Sequence, residues 1–137
     1  MSIARRRGWS TISHMGYDVH ITRKTARFDR EQPGIPFQEW SSYVEADPSM
    51  ELTGVARTTT PSGDVIEMKS AGLALWTAYS GHAEGRQVWF NLTKSGNVVV
   101  KNPDQEIRAK MWLIAQALGA SVQGDEGETY NAEGALE

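Results

Sequence analysis

The sequence predicts an α+β fold: a mainly antiparallel sheet of six to seven strands with two helices packed on one face, in the order β-α-β-β-β-β-β-α-β. Three observations carry this expectation. Several short runs alternate apolar and polar residues, the period of a half-buried strand. Two other stretches repeat their apolar residues every three to four positions, as one face of a helix does. The middle strands are joined by turns of a few residues, and short turns make antiparallel neighbours.

The elements follow in order. Residues 1–14 mix Arg, Gly and Ser without a period and are expected to be a poorly ordered extension ahead of a single domain over 15–130. Tyr17, Val19 and Ile21 alternate with Asp18, His20 and Thr22, a first strand with His20 turned away from the core. Arg23 to Gly34 is polar and ends in Pro33-Gly34, a loop. Pro36 suits a first helical turn, Phe37, Trp40 and Val44 make one stripe, and Asp47-Pro48 ends the helix. Glu51–Arg57 and Val65–Lys69 flank the turn Thr60-Pro61-Ser62-Gly63-Asp64, a hairpin. Gly72–Tyr79 is the most apolar strand, and Gln87–Thr93 joins Asn97–Lys101 through Lys94-Ser95-Gly96. Asn102, Pro103 and Gln105 resemble a capping box opening a second helix. Ile107, Met111, Ile114 and Leu118 form its apolar stripe and Gly119 its stop. Ala120–Gln123 reads as a last short strand, and residues 131–137 as a frayed tail.

Composition narrows the function classes. The absence of cysteine excludes a disulfide framework, a thiolate zinc site and a cysteine nucleophile, and is compatible with a reducing, cytoplasmic setting. No apolar run approaches the roughly 20 residues of a membrane helix, and no apolar stretch follows Arg5, Arg6 and Arg7 as a signal peptide would require. The net charge of -3 hides a basic beginning and an acidic end, where Asp125, Glu126, Glu128, Glu133 and Glu137 meet no basic residue. The isolated arginine triplet lacks the long basic stripe of a nucleic-acid binder.

No phosphate loop or dinucleotide fingerprint occurs. Ser80 and His82 lie two apart in a glycine-flanked loop, without the elbow that a serine nucleophile needs. The spacing of His20, His82 and Asp125 predicts no metal site, and no cofactor is expected. The loop Gly124-Asp125-Glu126-Gly127-Glu128 is expected to turn sharply and expose its carboxylates to a basic protein surface. Alternation on Gly72–Tyr79 and Gln87–Thr93 puts Trp76 and Trp89 together on the face away from the helices, if Leu73 and Val88 face them. The candidate partner-binding residues are Asp125, Glu126, Glu128, Tyr79, His82 and Trp89.

Five segments together carry a resemblance. They are Tyr17-Asp18-Val19-His20-Ile21-Thr22-Arg23, Glu39-Trp40-Ser41-Ser42-Tyr43-Val44 with Asp47-Pro48, Trp76-Thr77-Ala78-Tyr79-Ser80-Gly81-His82, Val100-Lys101-Asn102-Pro103-Asp104, and Val122-Gln123-Gly124-Asp125-Glu126-Gly127-Glu128. They resemble a family of small, mostly uncharacterised bacterial proteins that open with a Tyr-Asp-Leu-His-Ile-Thr-Arg-like strand and close with a Val-Gln-Gly-Asp-Asp-Gly-Glu-like segment. Its members are similar in size, acidity and α+β make-up to single-domain immunity proteins, the antitoxins that neutralise secreted bacterial toxins. The resemblance implies a non-catalytic cytoplasmic binding protein, a toxin inhibitor that occludes an active site through an acidic surface. Two alternatives stand beside it: a small enzyme using His20 and His82 with Asp18 or Asp125 as acid–base groups, and a self-associating module built on Trp76 and Trp89.

Overall fold

The structure is a computed structural model that describes residues 17–137. The extension expected over residues 1–14, and His14 with it, lies outside them. Among the described residues the chain forms a six-stranded sheet, a separate two-stranded ribbon and two α-helices. The strands are β1 (Asp18–Thr22), β2 (Met50–Leu52), β3 (Val55–Thr59), β4 (Val65–Lys69), β5 (Leu73–Trp76), β6 (Val88–Leu92), β7 (Val98–Lys101) and β8 (Ser121–Gly124). The helices are α1 (Phe37–Ala46) and α2 (Gln105–Leu118), and a single 3-10 turn occupies His82–Glu84. No helix among them is long and apolar enough to cross a membrane. The sheet order is β2-β5-β6-β7-β1-β8, with every ladder antiparallel.

One face of the sheet buries the core. Val19 and Ile21, Val98 and Val100, Phe90 and Val122 point to it and meet Trp40 and Val44 of α1 and Ile107, Met111, Ile114 and Leu118 of α2. The α2 stripe is therefore the one its spacing predicts. On α1 the stripe loses a member: Phe37, the first residue of the helix, is exposed, and Trp40 anchors the helix by donating its indole N–H to Gly72 O at 2.8 Å.

Four expectations are corrected. Residues Glu51–Arg57 are not one strand. Gly54, at φ 71, breaks them so that Met50–Leu52 pairs with β5 while Val55–Thr59 pairs with β4. The cap of α2 is Asp104, whose carboxylate accepts from Ile107 N at 2.9 Å; Asn102 instead accepts from Tyr17 N and closes β7 against the start of β1. A carboxylate makes a stronger, charge-assisted cap than an amide. Trp76 faces the helices. Directly opposite residues of an antiparallel ladder share a face, and Trp76 pairs with Val88 as Ala74 does with Phe90, so Leu73 and Leu75 turn the other way. The tail 131–137 is tied down: Asn131 N donates to Ala135 O, Arg108 Nε to Gly134 O, and Glu137 N to Thr129 O.

Candidate functional site

Among the described residues, the second face of the sheet carries no helix. Its residues include Asn91, Val99, His20 and Gln123, brought level by the ladders Asn91↔Val99, His20↔Val99 and His20↔Gln123, with Trp89 opposite Leu75. Two structures rise beside this floor. On the β8 side the loop 23–35 folds back across the sheet. Arg27 N donates to Gln123 Oε1 at 3.0 Å, Gln123 Nε2 to Thr25 O at 2.9 Å, and Asn97 Nδ2 to Arg27 O at 2.8 Å. Gly34 and Gly96 meet backbone to backbone, and Ile35 N donates to Gly96 O at 2.8 Å. On the other side stands the β3–β4 ribbon.

Between loop and ribbon lies an open cleft of about 1260 Å³. It continues past Arg86 and Gln87 to Tyr79 and Asn102 at the sheet's end. That volume exceeds the ~300–1,000 Å³ common for small-molecule pockets. Its lining is cationic. Lys24, Arg27 and Arg30 come from the loop, Arg57 from β3, Arg86 from the approach to β6, Lys94 from the β6–β7 turn and Lys101 from β7. Asp18 is the only carboxylate among the described lining residues. Some of this charge is balanced: Arg57 Nε lies 2.6 Å from Glu67, Arg86 3.1 Å from Glu84, Arg27 3.6 Å from Asp125 and Lys101 3.8 Å from Asp18. Arg30, Lys94 and Lys24 have no ion pair among the described residues. Lys24 is only 5% exposed, and its ammonium donates to Ser95 O at 2.6 Å.

The lips of the cleft are apolar and open. Phe28 on the loop is 70% exposed; Ile66 and Met68 on the ribbon are 55% and 45% exposed. Trp89 is half-buried in the floor.

The acidic loop is built differently from its expectation. Asp125 turns inward: it accepts from Asp18 N at 2.9 Å and contacts His20 Nε2 at 3.1 Å. Burial pushes its carboxyl up, but those donors with the Arg27 guanidinium outweigh burial and hold it below the usual carboxylate range. Glu128 also turns inward, over Gly124, where it accepts from the hydroxyls of Tyr17 and Tyr130. Burial foremost, and then the Glu128 carboxylate, pushes the Tyr130 phenol up to about 12 and Tyr17 further still. Two carboxylates expected at the surface thus hold β8 to β1, because the neighbouring strands offer donors that water would otherwise have to supply. Only Glu126 is exposed.

Of the candidate partner-binding residues, Tyr79 and Trp89 line the cleft, whereas His82, Asp125, Glu126 and Glu128 do not; of the alternative acid–base groups, Asp18 and His20 line it as well. Tyr79 is buried and its hydroxyl donates to Asp104 Oδ2 at 2.6 Å. Ser80 donates to Glu106 Oε1 at 2.6 Å and not to His82. His20 and His82 share no hydrogen bond among the described residues, and no group of three or more His, Asp or Glu among them could hold a metal ion. The basic residues of 23–30 stood out in the sequence, but not that they meet Arg57, Arg86, Lys94 and Lys101 at one cleft; for the ribbon's apolar face the alternation of Ile66 and Met68 was the signal available. Comparison with family models, curated proteins and solved structures finds no match for this chain.

Proposed function

We propose that the chain is a non-catalytic binding protein that docks a protein partner in the cleft on its helix-free face. The observation that supports this is the lining: cations without an ion pair among the described residues, Arg30 with them, beside exposed Phe28, Ile66 and Met68, and interfaces are enriched in Arg, Met and aromatic side chains. Neutralisation of a toxin is one case of this reading. Its docking surface is then the cleft, since Glu126 alone of the acidic loop is free to meet a partner. A chain without cysteine fits a reducing cytoplasm, the compartment proposed for the encounter.

Catalysis is the weaker reading, although Asp18 and His20 line the cleft and Asp125 lies 3.1 Å from His20 Nε2. A general base must reach its substrate, yet His20 Nε2 is held by Asp125 and His20 Nδ1 is enclosed. Cleft-to-cleft pairing of two copies would set like charges against each other, which argues against self-association there. The test compares partner recovery from the native cell by three tagged proteins: the wild type, Ile66→Asp with Met68→Asp, and Glu126→Lys. The ribbon variant is expected to lose the partner and the loop variant to keep it. Equal recovery by all three would remove the cleft from the account.

A further inference from the structure

The cleft also constrains the chemistry of what enters it. Resting on the docking surface proposed above, we infer that its occupant is a segment of a partner protein in which acidic and apolar side chains are interleaved. Charge supplies the first half. Arg30 and Lys94 are exposed without an ion pair among the described residues, and Lys24 is buried with its ammonium against a single carbonyl. A buried cation without a counter-charge is costly, and a carboxylate brought into the cleft relieves that cost. The acidic loop 124–128 does not supply one: Asp125 is engaged with His20 and Arg27, and Glu128 with two tyrosines.

Apolar exposure supplies the second half. Phe28, Ile66 and Met68 present side chains to solvent on both sides of the same opening. A purely anionic ligand would leave them wet. This is also what separates a peptide from a single-stranded nucleic acid. Nucleic-acid strands are held by exposed aromatic platforms along a basic groove. Here, among the described residues, Phe28 is the one well-exposed ring of the lining, Trp89 is half-buried in the floor, and the lips are otherwise aliphatic. The balanced pairs Arg57–Glu67 and Arg86–Glu84 further reduce the field that a phosphate backbone would need.

Fluorescence anisotropy tests this with a labelled peptide alternating Glu and Leu. A Lys–Leu peptide of equal length and a labelled oligouridine serve as competitors in class. The Glu–Leu peptide is expected to bind, and the others to bind about tenfold more weakly or not at all. Arg30→Glu with Lys94→Glu is expected to weaken it about tenfold or more, as is Ile66→Asp with Met68→Asp. All four side chains are exposed, so circular dichroism should report an unchanged fold. Equal binding of the Lys–Leu peptide, tighter binding of oligouridine, or indifference to charge reversal would overturn the inference. If the Glu–Leu peptide fails while the ribbon variant still loses its cellular partner, the occupant is wrong and the docking surface stands. If both fail, both readings fall.

Discussion

Asp47 shows how much one side chain can hold at the end of a helix. It follows α1 and accepts from Lys110 Nζ at 2.7 Å, from the Tyr43 hydroxyl at 2.7 Å and from Ser49 N at 2.9 Å. It thereby ties α1 to α2 and to the start of β2. Burial pushes its carboxyl up, but these donors outweigh burial and hold it far below the usual carboxylate range. A depressed folded-state pKa means that the unfolded chain binds the proton more readily. The stabilisation is therefore complete above about pH 4, the unfolded value, and is lost as pH falls below it. Asp47→Asn should cost about 2 kcal/mol at neutral pH, and it should flatten the decline in stability on acidification. Urea unfolding of both proteins across that range measures it; parallel curves would show that Asp47 is not the group responsible. Sequence alone marked Asp47-Pro48 as a helix stop but could not reveal this role, because Lys110 lies on another element. The same limit hid the inward turn of Asp125 and Glu128, whose partners His20 and Tyr17 are more than a hundred residues away in the chain.

At the scale of elements, the loop over residues 23–35 owes its position to a glycine pair. Gly96 sits at φ 86 in the β6–β7 turn, a conformation that costs other residues about 1–2 kcal/mol. A Cβ there would also run into the Gly34 backbone. Gly96→Ala should therefore destabilise the fold by about 2 kcal/mol and speed amide exchange at Ile35, which donates to Gly96 O. Unchanged exchange at Ile35 would mean that the loop is held elsewhere. Helices and central strands were legible because their periods are strong and their partners lie close in sequence. The ribbon was half legible: its turn Pro61-Ser62-Gly63 announced a hairpin, but nothing local said that β3 and β4 would leave the sheet. The break depends on Gly54 and on β5 accepting only Met50–Leu52. Face assignment failed at β5 for a related reason. A run in which Leu73, Ala74, Leu75 and Trp76 are all buried has no polar residue to mark its outer side.

The whole molecule is a two-layer arrangement in which the strand closest to the beginning of the described chain lies inside the sheet, between β7 and β8. Every piece of the chain on either side of the ribbon thus depends on the other. Cleavage at the exposed ribbon tip, residues 61–63, should leave two fragments that stay folded together, since β1 pairs with β7 and β8 of the second fragment. Size-exclusion chromatography of a nicked protein should return one peak containing both; separate elution would contradict the topology. Fold class, strand direction and the layer of helices could be inferred from pattern. The cleft could not, because it exists only once the loop and the ribbon are set over the same bare face.

The interior seat of β1 also governs when a nascent chain can finish its architecture. Until β7 and β8 leave the ribosome, the apolar side of β1, Val19 and Ile21, has neither of its neighbours. Completion waits until β8, Ser121–Gly124, has been made, and the segments before it must be kept from aggregating in the interval.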